Sequence, residues 1–373
     1  MENTSIKRDS NFELLRIIAM VMIIFSHLRQ HGLWFSPDNQ YVFNSILCES
    51  IFRHFGAIGN WLFIFISGYF ISSSKISYKK IFRLWFQVFS ISLIIGFAVW
   101  ISGIQVSPHF DSATIENYTK NGFEKSTRLM SKKDMIRCLF PCYFSNNWFV
   151  TAYMTFLLIV PLLNNFLNKS NREEHKHCIW VLIIIGTVIP IFPMEGFFLP
   201  SAVMSFIIGF FIAKYIKLYS PEFFNNKRRN FIISLLFYMF ISFWIFICMI
   251  IFKHFSFGQK YFPYFTFMFA GMNTFTVMCC ALFLFCGFRL VKITYNRFVN
   301  IVASATFGVY LIHENLLINK WWWHKICKLD DFVSSPFLIP YMFLCVLITF
   351  TICTILELLR KNLIERVLLH KLQ

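Results

Sequence analysis

Charge is what this 373-residue chain has least of: Asp, Glu, Lys and Arg make up 14% of it, against about 25% in ordinary soluble domains. Acidic residues are scarcer still, 18 against 35 Lys and Arg, which leaves a formal net charge of +17. So little charge, with 57% apolar residues and a mean hydropathy of +0.60, excludes an ordinary soluble enzyme. Short alternating runs are also missing, which excludes a β-barrel, and the apolar residues stand in blocks long enough for bilayer-spanning helices. The 11 Cys are scattered, mostly within those blocks, and make no disulfide framework. Cys138 and Cys142 lie close enough to pair on an oxidising surface, but the spacing carries no metal signature, and no metal is expected. No internal repeat is visible. Lys and Arg sit in short clusters between the apolar blocks rather than along one polar face, which argues against a nucleic-acid partner and for membrane orientation. The 50 Phe are of the kind an AT-rich coding genome produces, and no function is read from them.

What is present is a series of spans. A helix crossing the hydrocarbon needs about 20 residues, and cutting at charges, Pro and Asn gives ten: 12–30, 55–73, 82–103, 147–167, 178–195, 198–217, 230–252, 264–286, 299–319 and 336–358. The fold class is therefore all-α: a polytopic bundle of about ten transmembrane helices, read as one integral-membrane domain over 1–373. With the N-terminus inside, the inner segments hold 21 of the 35 Lys and Arg, so both termini are expected in the cytoplasm. Lys7 and Arg8 precede an apolar run as in a secretory signal, but no small-residue cleavage site follows, and the run reads as a retained helix. Ser10 and Glu13 have the spacing of a capping box. The loop 104–146, with Asp111, Glu116 and several Lys, is the one segment long enough for an outer lid or cap.

The informative residues are the few polar ones inside the spans. Arg16 and His27 are eleven residues apart, three helical turns plus roughly 20°, so they share a face about 16 Å apart along the axis. Ionisable groups in a span usually face a bundle interior or a wet cavity. The plain alternative is that Arg16 pairs with Glu13 and His27 sits at the outer interface. Ser67-Gly68 in the second span suits close helix packing. Lys80 and Arg83, one turn apart at the inner side of the third span, form a fork for phosphates, or plain positive-inside anchors. Trp148 and Tyr153 open the fourth span from the outer side, and Pro161 to Asn164 are read as its end. His313 and Glu314 fall in the outer part of the ninth, where a structural His–Glu contact is as good a reading as catalysis. The polar residues thus segregate: Arg16, Lys80 and Arg83 inward, and His27, Trp148, Tyr153, His313 and Glu314 outward.

Arg16 with His27, the run Phe63 to Tyr69, the block Trp148 to Asn164 and the run Phe307 to Glu314 together resemble the acyltransferase-3 family, in order and over nearly the whole chain. Two departures stand out. Lys80 occupies the place of the first of two arginines, and the aromatic pair before Ser67-Gly68 reads Phe63-Ile64. The resemblance implies a bacterial inner-membrane O-acyltransferase, most often an O-acetyltransferase, acting on surface polysaccharides or related envelope glycans. Acetyl-CoA or a related acyl-CoA would be the donor substrate, with no permanently bound cofactor, and Arg16, Lys80 and Arg83 are placed to hold its phosphates. His27, with Arg16, would carry the chemistry, as general base for the acceptor hydroxyl or as carrier of the acyl group. Ser67, Trp148, Tyr153, His313 and Glu314 would orient the base or the acceptor. The expected partners are the acyl-CoA, a glycan or lipid-linked glycan, membrane lipids and polysaccharide-export or polymerising proteins. No soluble domain is expected after the membrane part, so the chain would transfer unaided or hand over to a separate protein. A polysaccharide or lipid-linked glycan transporter is the alternative function.

Overall fold

A computed structural model describes residues 9–33, 42–73, 77–107, 123–144, 148–191, 201–254 and 261–365. In chain order the helices are α1 (Ser10–Gly32), α2 (Val42–Phe52), α3 (Phe55–Ile71), α4 (Tyr78–Ser102), α5 (Lys132–Leu139), α6 (Pro141–Phe144), α7 (Trp148–Lys169), α8 (Arg172–Ile183), α9 (Ser201–Tyr219), α10 (Lys227–His254), α11 (Phe262–Ala270), α12 (Phe275–Arg289), α13 (Arg297–His313), α14 (Asn319–Trp321) and α15 (Leu338–Arg360). Among the described residues the only β pairing is one isolated bridge, Val106 to Arg128. Among the described residues, nine helical segments are long and apolar enough to cross a membrane. The tenth expected span is α13, which at 17 residues ends at His313, with Glu314 following. The chain is a multi-pass membrane protein.

The chain divides into two compact units, and α1, α7 and α13 each give residues to both. The first comprises 1–23, 54–75 and 160–306. Its helices approach closely at small residues: a Cβ on Gly68 would lie 2.9 Å from the Phe210 backbone, and one on Gly59 would meet the Ala19 carbonyl at 2.6 Å. Trp61 is fully buried, and its Nε1 donates to the Met272 carbonyl at 2.7 Å. Lys214 is also buried; Asn164 and Asn168 accept from its ammonium at 2.8 and 3.0 Å. Asn164 can do so because α7 runs on through Pro161 to Lys169 rather than ending at Asn164. The capping box expected at Ser10 does not form. Ser10 is the first residue of α1, and its hydroxyl donates to Asn300 and accepts from the Asn296 amide, while Glu13 faces Arg16.

The second unit comprises 24–53, 76–159 and 307–373. The described part of the loop 104–146 carries α5 and α6 and packs as a cap. Cys138 of α5 lies against Gly96 of α4 and shares a buried cluster with Val99, Val106 and Leu317. Ser131 and Asp134 form the capping box of α5, and Arg128 closes on Asp134 at 2.6 Å. Burial raises the Asp134 pKa, but Arg128 and the Ser131 hydrogen bonds outweigh it and hold the carboxyl below its usual range. Cys138 and Cys142 are both free thiols. Lys7, Arg8, Asp111 and Glu116 lie outside the described residues.

Candidate active site

The second unit gathers a cluster of imidazoles from α1 and the end of α13 around one carboxylate. His27 and His31 stand one turn apart on α1, so both point to one side. His313 is the last residue of α13 and Glu314 follows it. His313 is buried, while the side chains of His27, His31 and Glu314 are 17%, 14% and 16% exposed. The cluster is sheltered yet reachable.

Hydrogen-bond geometry decides which nitrogen carries which proton. The Val309 carbonyl can only accept, so the 2.6 Å contact makes His313 Nδ1 the donor and leaves a lone pair on its Nε2. That lone pair faces His27 Nδ1 at 3.0 Å, so His27 Nδ1 carries the proton. Glu314 Oε2 lies 3.1 Å from the same His27 Nδ1. The free lone pair of neutral His27 is therefore on Nε2. A ring held this way, Nδ1–H toward an acceptor and a carboxylate, is the arrangement of a general base with its orienting partners.

Glu314 is itself held. Its Oε1 accepts from His31 Nε2 at 3.1 Å. The end of α1 is braced in turn, because the His31 carbonyl accepts from His324 Nε2 at 3.0 Å and from Lys320 Nζ at 3.5 Å. Such donors complement the negative end of a helix. His324 Nδ1 also contacts Asp330 at 2.6 Å. Lys320 is buried, and burial pulls its ammonium down to about 7 against the opposing charge of Glu314. Beside the cluster, Arg29 and Arg53 share Glu49 of α2, at 2.5 and 2.6 Å. The Tyr310 ring lies 6.2 Å from His27 and links through Phe149 to Trp148, with centroids 6.0 and 5.6 Å apart.

A family model for an acyltransferase domain matches residues 9–358. The chain belongs to the acyltransferase-3 family. No curated protein and no solved structure matches it. Within this acyltransferase-3 chain the structure brings together three residues predicted from sequence, His27, His313 and Glu314, with Trp148 reached through two aromatic rings. Tyr153 is half-buried on α7. Arg16 pairs with Glu13 at 3.0 Å, as the plain alternative has it, and its side chain stays 26% exposed. Ser67 is half-buried on α3, next to the close-packed Gly68. Lys80 and Arg83 are exposed on the first two turns of α4, whose cap is Ser77. Sequence reasoning missed His31, although its spacing of four from His27 was visible, and missed His324 and Lys320. Nothing in their local sequence ties those two to α1. His27, His313 and Glu314 also offer ligand atoms within 4.8 Å of one another, a set able to hold a metal ion.

Proposed function

We propose that this acyltransferase-3 protein moves an acetyl group from cytoplasmic acetyl-CoA to a hydroxyl of a surface or exported polysaccharide, with His27 as the general base. One observation carries the reading: His27 Nδ1–H donates to His313 Nε2 with the Glu314 carboxylate 3.1 Å from the same nitrogen, which leaves Nε2 as the basic nitrogen. A sugar hydroxyl is a poor nucleophile at neutral pH. As its oxygen attacks the thioester carbonyl, its proton passes to His27 Nε2, and the imidazolium that forms is stabilised by the Glu314 carboxylate. The tetrahedral intermediate collapses with cleavage of the C–S bond, CoA leaves as thiolate, and the proton on Nε2 goes to the thiolate or to water. Positioned acid–base catalysis of this kind contributes about 10²–10⁴-fold.

In the same reading the protein sits in a bacterial inner membrane with both termini in the cytoplasm. Lys80 and Arg83 hold the donor's phosphates, and the cap of α5 and α6 faces the acceptor. Polyanionic donor and cationic inner segments suit one another by charge. Proton NMR of the surface glycan from wild-type, deletion and His27→Ala strains tests this. Acetyl-ester signals are expected in the wild type and in neither of the others. Signals kept in the His27→Ala strain would remove the base, and signals kept in both would remove the glycan acceptor.

A further inference from the structure

The cluster around His27 has more lone pairs than protons at one point. Two lone pairs, on His313 Nε2 and Glu314 Oε2, converge on the single proton of His27 Nδ1 at 3.0 and 3.1 Å. Glu314 Oε2 is buried and no hydrogen bond of good geometry reaches it. We infer that His27 Nδ1, His313 Nε2 and Glu314 Oε2 form an inhibitory site for a divalent transition-metal ion of the Zn²⁺ type.

Three features of the geometry support a metal of this class. Zinc holds imidazole nitrogens and carboxylate oxygens at about 2.0–2.2 Å, so neighbouring ligand atoms on a tetrahedron stand about 3.3 Å apart. Two of the three edges here are already 3.0 and 3.1 Å, and all the ligand atoms lie within 4.8 Å. Two imidazoles and one carboxylate are a known zinc donor set that leaves the fourth position open. The outer contacts are those of metal ligands too: His313 donates its other ring N–H to the Val309 carbonyl, and His31 holds the second oxygen of Glu314.

The inhibition rests on the general-base reading; the binding does not. A metal on His27 Nδ1 needs the lone pair of that nitrogen, so the ring proton moves to Nε2. The nitrogen that would take the hydroxyl proton is then already protonated. Metal and catalysis compete for opposite tautomers of one ring.

The test uses the purified full chain in detergent, stripped with a chelator and titrated with Zn²⁺ against a chromophoric competitor. Binding of one Zn²⁺ per chain is expected, weakened at least tenfold by His313→Ala and by the nearly isosteric Glu314→Gln. The control His177→Ala, at an exposed position on α8, should leave it unchanged. Co²⁺ in place of Zn²⁺ should show the absorption of a low-coordinate nitrogen and oxygen site, lost in the same two variants. Acetyl transfer should fall in step with occupancy and return with chelator. Absence of binding, or binding indifferent to both substitutions, overturns the site; a chain that needs Zn²⁺ for activity overturns the inhibition. Zn²⁺ bound at these residues in a protein without acetyl transfer would leave the site standing and refute the proposed function instead.

Discussion

Two buried polar clusters in the second unit make an instructive pair. Around Glu357 every strong group is matched. Its two oxygens accept from Arg360 at 2.7 and 2.9 Å and from Gln87 at 2.8 Å, and Arg360 also donates to Ser90 and Glu365. Around Glu314 the count does not close: the His27 proton goes to His313, Glu314 Oε2 beside it has no hydrogen bond, and a lone pair on His27 Nε2 is left over. Both clusters pay for desolvation. Only the unmatched one keeps a group able to exchange a proton, and sheltered groups so arranged are where chemistry is sought. The matched cluster ties α4 to α15 and leaves nothing to react.

That contrast can be broken most strongly at Glu357. Glu357→Ala leaves the buried Arg360 guanidinium with Glu365 as its remaining carboxylate partner, and thermal or denaturant unfolding in detergent should show a loss of about 3 kcal/mol. A change below 1 kcal/mol would mean that the cluster is solvated and dispensable. The next effect is expected at Gly308 of α13, where a Cβ would run into the Glu357 side chain. Gly308→Ala should cost roughly 1–3 kcal/mol by overpacking, with full acyl transfer in the molecules that stay folded. Asp134 of the cap gives the smallest effect. Its folded pKa is held low, so the unfolded chain binds more protons as pH falls. The stabilisation is complete above the unfolded value of about 3.9 and is lost as pH drops through the lower folded value. Asp134→Asn should lower hydrogen-exchange protection of 131–139 by roughly 1–2 kcal/mol at neutral pH, and the difference from wild type should fade in acid.

Much of this was legible in the sequence, for reasons specific to each element. The spans follow from apolar length, and the helices start within a few residues of the expected limits where Lys, Arg or Ser interrupts an apolar block, as at Tyr78 and Lys227. The helix α2 was not legible, because Glu49 and Arg53 read as loop until Arg29 is seen to neutralise Glu49. His27 stood out by its spacing from Arg16, and His313 and Glu314 by lying together near a span end. What brings them into contact, the Val309 carbonyl that sets the tautomer and the turn after His313, belongs to three-dimensional packing. Ser10 shows the opposite failure: a local motif was present, and a tertiary contact to Asn296 and Asn300 took its hydroxyl.

The most direct measurement compares Glu314→Gln with Glu357→Gln in one preparation, reading acetyl transfer from acetyl-CoA and the unfolding midpoint side by side. The account predicts that Glu314→Gln loses most of the rate at an unchanged midpoint, with a shifted pH–rate profile, while Glu357→Gln lowers the midpoint and keeps the rate of its folded fraction. Full activity in Glu314→Gln, or a catalytic loss confined to Glu357→Gln, would contradict it.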